Sequence, residues 1–252
     1  MNENTIKTAF LLGAGLGTRL RPLTDSCPKP LLPLGGRPII TYAMEHLLTL
    51  GVERFIVNTH HLDSAYDQAF PEKRWRGIPI TFRYEPLLLD TAGGLKNIED
   101  LLEGDDDILV YNGDVISDLP LGRLLDAHRE KGTEVTLALR SNGEPLNVCL
   151  NEQQEVCDLR GKLGAEGRNC LFTGIYAVKK SFLDRLQPGR PESVIVIFLA
   201  MIREKPRSVA GAIIDEGMWY DAGSLEEYEK LNKLLSPSRG PATNPETSKD
   251  AR

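Results

Sequence analysis

The sequence predicts an α/β fold, a largely parallel β-sheet with helices on both faces. Three observations carry this. Apolar runs of strand length alternate with segments of helical period between residues 8 and 139. The first run ends directly on a glycine turn, Gly13-Ala14-Gly15-Leu16-Gly17. A chain of 252 residues with 41% hydrophobic content can bury one large core without disulfide or metal staples.

Residues 8–12 (TAFLL) read as a buried first strand. Residues 39–50 (IITYAMEHLLTL) place Ile40, Met44 and Leu48 on one helical line and Ile39, Ala43 and Leu47 beside it. Pro38 suits the first turn of that helix and Gly51 its stop. Strands follow at 54–58 and 78–84, a helix at 92–102, and an apolar strand at 107–111 (DILVY) that ends on Asn112-Gly113-Asp114. A helix at 121–130 and a strand at 134–139 complete the alternation. Beyond Arg140 the pattern changes to short strands at 147–150, 156–159 and 171–178, with helical stretches at 181–186 and 193–203. A strand at 209–214 leads to Gly217-Met218-Trp219-Tyr220-Asp221, and Ser224 with Glu227 forms a capping box for the last helix. The expected organisation is one domain over 1–235, with parts at about 5–140 and 141–235. The Pro/Ser/Thr-rich tail, 236–252, is expected to be disordered.

Charge and composition exclude several classes. The net charge is −6, whereas a general nucleic-acid binder is usually basic. Cys27, Cys149, Cys157 and Cys170 show no CxxC spacing, which fits a reduced, cytoplasmic chain. The N-terminus has no signal-peptide pattern, and no run reaches the ~20 apolar residues that span a bilayer. Neither a nucleic-acid nor a membrane partner is expected, and oligomeric state is not legible.

Against this acidic background, residues 11–38 carry Arg19, Arg21, Lys29 and Arg37 with Asp25 as their sole acid. Ligands of a parallel sheet sit beyond the carboxyl ends of its strands, where the glycine turn lies. Small residues there let backbone N–H groups approach a phosphate. The turn matches neither G-x-x-x-x-G-K-[ST] nor G-x-G-x-x-G with its downstream acid, so spacing alone also allows a plain strand-to-helix turn. The cations favour an anion site. Arg19 can grip phosphate oxygens bidentately, and Lys29, between Pro28 and Pro30, is a point charge on a backbone expected to be extended. Arg21 and Arg37 read as solvated surface residues.

The ordered set Gly15-Leu16-Gly17-Thr18-Arg19, Pro22, Thr24, Pro28-Lys29-Pro30, Pro33, Gly36 and Pro38 resembles the signature of the sugar-1-phosphate nucleotidyltransferases. The resemblance covers residues 8–235. It implies a Rossmann-like, glycosyltransferase-A-like sheet with a nucleotide-binding part followed by a sugar-binding part. It also implies that an NTP and a sugar-1-phosphate react to give an NDP-sugar and pyrophosphate. Arg19 and Lys29 would be catalytic, and Leu12, Gly13, Ala14, Gly15 and Asn112 would meet the nucleotide.

The remaining site residues have a plain and a functional reading. Asp114 is a turn aspartate or, at a strand's carboxyl end, a ligand for the Mg²⁺ that triphosphate chemistry needs. Asp221 is a helix N-terminal acid or a second ligand. The resemblance implies metal binding for both, with Ala222 a small departure from the family pattern. Glu85, with Thr91, Ala92 and Gly93, resembles the base-binding loop, although Asp90 or Thr91 also suits a helix cap. His60 and His61 lack partners at ligand spacing and read as loop residues. Thr173 and Gly174 resemble the sugar-facing strand. Lys162 stands where relatives carry a phosphate-gripping E-K-P lysine, but the glutamate and proline are missing.

The first substrate pair expected is UTP with N-acetylmuramate-1-phosphate. The alternatives are GTP with mannose- or heptose-1-phosphate, a phosphocholine cytidylyltransferase, and a non-catalytic sensor of the same fold. An aromatic cage for choline is not evident in a chain that is 6% aromatic.

Overall fold

The computed structural model describes residues 6–236 apart from 103 and 106. The chain starts with β1 (Thr8–Leu12), then a 3-10 turn (Thr18–Leu20), the one-turn helix α1 (Leu23–Ser26) and a second 3-10 turn (Lys29–Leu31). The hairpin of β2 (Pro33–Leu34) and β3 (Arg37–Pro38) leads into α2 (Ile40–Leu48). Next come β4 (Arg54–Thr59), α3 (Ser64–Ala69), β5 (Arg74–Trp75), β6 (Ile78–Tyr84) and α4 (Asp90–Lys96). These are followed by β7 (Asp107–Asn112), β8 (Val115–Ser117), α5 (Gly122–Lys131) and β9 (Val135–Arg140). The second part contains β10 (Leu146–Leu150), β11 (Val156–Leu159), β12 (Arg168–Lys179), α6 (Val194–Glu204), β13 (Val209–Ile213), β14 (Trp219–Asp221) and α7 (Leu225–Leu235).

Ten strands form one mixed sheet in the order β11-β10-β12-β7-β1-β4-β6-β5, with β9 paired to β12 and β13. The strands β7, β1, β4 and β6 are parallel. Their register sets Leu12 opposite both Asn58 and Asn112, so three strands end level at one rim of the sheet. The long strand β12 runs antiparallel to β7 and to β9 and joins the two parts. The strand at 134–139 therefore does not continue the parallel set beside β7, because β12 stands between them. Its parallel neighbour is β13.

The central residues of β1, β4 and β7 are apolar because both of their faces are covered. Phe10, Ile56 and Val110 pack with Leu95 of α4 and Phe198 of α6. Leu11, Val57 and Leu109 pack on the other face with Met44 of α2 and Leu124 of α5. A third cluster, including Leu20, Leu34, Ile39, Ala222 and Leu231, joins the post-glycine segment to α7.

Several boundaries differ from the sequence expectation. The helix expected at 92–102 starts at Asp90, stops at Lys96 and gives way to a 3-10 turn at Glu99–Leu101. Gly93 and Gly94 weaken it, and Ile98 and Leu102 turn into the core beside Leu95. The stretch at 181–186 is a 3-10 segment, Lys180–Arg185. Ser224 caps α7 by accepting from Glu227 N, but the Glu227 carboxylate accepts from the Ser224 hydroxyl rather than from its backbone. The expected tail, beyond Ser236, lies outside the described residues. Among the described residues no helix is long and apolar enough to cross a membrane.

One buried histidine fixes the rim from below. His46 Nε2 donates to Leu119 O at 2.8 Å, which leaves Nδ1 to accept from the Tyr111 hydroxyl at 3.1 Å. Burial holds the imidazole pKa below its ordinary value. Its contribution to stability is therefore complete above the unfolded value of about 6.5 and is lost as pH falls through the lower folded value. Lowering the pH from 7.5 to 5.5 is expected to depress the melting temperature more in the wild type than in His46→Gln. The variant itself should lose about 1–2 kcal/mol at pH 7.5. Parallel melting curves across this range would refute the assignment.

Candidate active site

At the rim where β1, β4 and β7 end, a cavity of about 490 Å³ opens. Leu12, Ala14 and Gly15 come to it from β1 and its turn, and Asn58 from β4. Glu85 and Leu88 come from the segment between β6 and α4, Asp90 and Thr91 from the first turn of α4, Asn112 from the end of β7 and Asp114 from the turn between β7 and β8. Lys29, Pro30 and Pro191 complete the wall. A smaller cavity of about 250 Å³ shares Gly15, Lys29 and Asp114 with the first and adds Gly17, Thr18, Arg19 and Gly223.

The glycines of the turn differ in what requires them. A Cβ at Gly13 would lie 2.7 Å from Asn58 O, so β1 and β4 pack too closely there for a side chain. Gly17 has φ of +62°, and its carbonyl accepts from Thr24 Oγ1 at 2.9 Å. Gly15 faces open space, leaving its backbone accessible from both cavities. Lys29 is not extended as expected. It opens the 3-10 turn Lys29–Leu31, closed by Leu32 N to Lys29 O at 3.1 Å, because Leu31 and Leu32 are drawn into the core. Its side chain, 8% exposed as a residue, forms an ion pair with Asp114. Arg21 pairs with Asp25 on the surface, and Arg37 stacks on Tyr42 beside Glu45.

β14 pairs with β8 so that Asp221 lies opposite Val115, and Ala222 N donates to Asp114 O at 3.1 Å. Two acids separated by more than a hundred residues thus become neighbours. Burial and the Asp114 charge push the Asp221 carboxyl up to about 6, against the opposing pull of Lys29 and Arg19. Among the described residues, Asp221 Oδ1 is buried and has no hydrogen-bond partner. An orphaned buried carboxylate oxygen beside a second carboxylate suits a hard divalent cation, which needs one or two such ligands. Arg19 and Asp221 both lie against Gly223, where an added Cβ would sit 3.2 Å from Arg19 Nη1 and 2.9 Å from Asp221 Oδ1.

Glu85 is fully buried at the cavity wall. It accepts from Asn58 Nδ2 at 2.7 Å and from Leu89 N at 3.0 Å, and its burial raises its pKa. Thr91 lines the cavity and accepts from Val194 N. Ala92 and Gly93 do not line it: the Ala92 amide donates to Glu192 O, and a Cβ at Gly93 would run into Arg190 O. Gly13 is likewise off the wall, with its amide donated to Asn58 Oδ1 at 2.8 Å.

Thr173 and Gly174, expected to face the sugar, form an irregularity in the β12–β9 ladder. Gly174 (φ +77°) presses on the Asn112 side chain, and Thr173 O accepts from Trp219 Nε1 at 2.9 Å. They support Asn112 and β14 from behind the cavity. Lys162 is exposed on the turn after β11, the outer strand of the sheet, with β10 and β12 between it and β7. It lines neither cavity.

Reading the sequence missed Asn58, Leu88 and Pro191. Asn58 carried a signal, a polar residue closing an apolar strand at the ligand-binding end. Pro191 carried none, since a fold-back from over 90 residues away brings it to α4. His60 and His61 tie loops together, His60 Nδ1 to Glu85 O at 2.7 Å and His61 Nε2 to Thr24 O at 2.9 Å.

The raised Asp221 pKa makes a stability claim. The folded carboxyl holds its proton between about pH 4 and 6 while the unfolded one releases it, so its ionisation destabilises the fold as pH rises through that window. In chelator, Asp221→Asn should match the wild type below pH 4 and gain about 1–3 kcal/mol above pH 6.5. Thermal melts across pH 4–8 check this, and a variant no more stable at pH 7.5 than the wild type would refute it.

The model of the nucleotidyl transferase family matches residues 8–237. The chain is 33% identical over 238 residues to mannose-1-phosphate guanylyltransferase of Mycobacterium tuberculosis, covering 91% of this chain and 66% of that one. It is 31% identical over 225 residues to mannose-1-phosphate guanylyltransferase catalytic subunit beta of Dictyostelium discoideum, covering 87% of this chain and 62% of that one. The chain thus spans somewhat less than two thirds of these curated relatives. HddC from Yersinia pseudotuberculosis, complexed with GMP-PN, shares the fold with a TM-score of 0.74 at 20% identity, covering 91% of this chain and 99% of that one. With the family signature, the sheet and the rim cavity in agreement, the chain belongs to the nucleotidyl transferase family.

Proposed function

We propose that the chain transfers a nucleotidyl group from a nucleoside triphosphate to a sugar-1-phosphate and releases pyrophosphate. One observation carries this above the others: the Lys29–Asp114 pair stands on the wall shared by a large, mainly apolar cavity and a small cavity containing Arg19. A nucleoside fits the first, a polyphosphate tail fits the second, and the α-phosphate falls between them.

In this assignment the base lies against Leu12, Leu88 and Pro191, near Glu85 and Thr91. Lys29 meets the α-phosphate, while Arg19 and the amides of the glycine turn hold the β- and γ-phosphates. An oxygen of the sugar phosphate forms a new bond to the α-phosphorus as the bond to the β-phosphate oxygen breaks, and pyrophosphate leaves with that electron pair. The nucleophile is already anionic, so positioning and charge neutralisation do most of the work. Asp114 and Asp221 would hold Mg²⁺, which supplies further neutralisation of phosphate charge when bound. Asn112, backed by Gly174, and Trp219 lie toward the sugar part. Lys162 lies too far out on the sheet to be given the sugar phosphate.

The names of the relatives favour GTP with mannose-1-phosphate as the first pair to test, ahead of UTP with N-acetylmuramate-1-phosphate. Assembly of Arg19, Lys29 and Asp114 around one small space, with Asp221 beside them, favours catalysis over a sensor role.

Pyrophosphate release from each of four NTPs against a panel of sugar-1-phosphates and phosphocholine tests the reaction. Release above background with no pair would overturn it. Lys29→Ala should lower turnover by about 10²–10³, and near-normal turnover would remove Lys29 from the chemistry. Asp114→Asn, or chelation of divalent ions, should abolish release. An Asp114→Asn enzyme active at ordinary Mg²⁺ would remove Asp114 from the metal site.

A further inference from the structure

We propose that Asn58 is a positioning residue that locks the glycine turn to the base wall and thereby sets affinity for the nucleoside triphosphate, an inference that rests on the function proposed above.

Asn58 is the penultimate residue of β4 and is 2% exposed. Both halves of its amide are engaged. Oδ1 accepts from Gly13 N at 2.8 Å, and Nδ2 donates to Glu85 Oε1 at 2.7 Å. These partners fix the amide orientation, because Gly13 N can only donate and the Glu85 carboxylate accepts. The Glu85 carboxylate continues the chain by accepting from Leu89 N, and Glu85 N donates to Thr59 O at 2.8 Å. One line of hydrogen bonds therefore runs from the turn after β1, through the end of β4, to the segment that opens α4.

The surroundings leave this line no slack. Tyr66 of α3 donates its hydroxyl to Gly13 O at 2.9 Å, so Gly13 is held at both polar ends. A Cβ at Gly94 would lie 2.8 Å from Asn58 Nδ2 and 2.9 Å from Glu85 Oε1. The charged or titratable groups facing Glu85 are His60, beyond the end of β4, and Asp90 of α4. An aspartate at 58 would still accept from Gly13 but would set a carboxylate against Glu85. An apolar residue would leave both partners unsatisfied. The amide alone supplies an acceptor on one side and a donor on the other. Gly13 immediately precedes Ala14 and Gly15 of the cavity wall. A displacement there of about 1 Å misplaces the phosphates enough to cost on the order of 10²-fold.

The decisive experiment exchanges the donor and the acceptor. Binding of Mg·GTP and Mg·UTP is measured by calorimetry between pH 6 and 8.5 for the wild type, N58D and N58D/E85Q, with KM determined for both substrates. In the double variant the amide introduced at position 85 can donate to the carboxylate introduced at position 58 and still accept from Leu89 N. N58D should weaken nucleotide binding roughly 10–100-fold at pH 8. The loss should shrink toward pH 6, where the two carboxylates share a proton. The sugar-phosphate KM should stay within about twofold, and the exchange should recover most of the affinity.

A folded N58D that binds like the wild type overturns the proposal, as does an equal rise in both KM values or a double variant as weak as N58D. If N58D fails to fold, the double variant decides alone: wild-type-like binding supports the proposal, and weak binding or failure to fold overturns it. A wild type that binds neither nucleotide overturns the GTP and UTP assignments and this inference with them, and the four-NTP assay then decides the reaction class separately. Wild-type binding left intact by N58D overturns this inference alone.

Discussion

The register of the parallel ladder is the constraint on which the site depends. Leu12, Asn58 and Asn112 are partners across three strands, so the segments leaving β1, β4 and β7 start from one level and converge on one cavity. A shift of one residue in either pairing would turn Asn58 or Asn112 toward the opposite face of the sheet. Gly13 and Gly113 show how close the approach is. A Cβ on Gly13 would meet Asn58 O at 2.7 Å, and Gly113 N donates to Leu12 O at 3.1 Å. These glycines are needed by strand packing as much as by any ligand.

Electrostatics at the rim leave the charges unevenly matched. Lys29 answers Asp114, but Asp221 has a buried oxygen without a partner among the described residues and a carboxyl group held up to about 6 by burial and by Asp114. This imbalance belongs to a site shaped for additional charge. A divalent cation would relieve it on the acidic side, and a polyphosphate would engage Lys29 and Arg19 on the basic side. The Lys29–Asp114 pair is thus both a stabilising contact of the free protein and a contact that substrates would reorganise. Perturbed carboxylates of this kind cluster at functional sites.

Support for the site comes from remote parts of the chain. α7 holds the β2–β3 hairpin through Tyr228 OH to Pro33 O at 2.6 Å and through Gly35 N to Asn232 Oδ1 at 2.9 Å. The hairpin follows the turn that carries Lys29, and α7 follows Asp221, so the two ends of the charged cluster share one small core that includes Leu20, Leu34, Ala222 and Leu231. Trp219 ties β14 to β12 through Thr173 O. Packing of this kind suits side chains that must hold their geometry while ligands exchange.

The longer strands, the glycine turn, the cationic segment and the strand-end position of Asp114 were legible in the order of residues, whereas the short strands β2, β3, β5 and β8 were not. The legible features are local signals: apolar period, residues that permit a backbone conformation, and charge at a strand end. The sequence also carried enough ordered motif from Gly15 to Pro38 to indicate the family. It took the folded chain to reveal that β12 intervenes between β7 and β9, that Lys29 sits in a 3-10 turn, and that Ala92 and Gly93 face Glu192 and Arg190 while Asn58 and Pro191 reach the cavity. The pairing of β14 with β8 is what sets Asp221 beside Asp114, a proximity that the family resemblance implied but no local pattern records, and the sheet order leaves Lys162 at the outer edge. The physical reason is common to all of these. Each depends on pairing between segments distant in the chain, through sheet order, fold-back and burial, and no periodicity within a single segment records which partner will lie across from it.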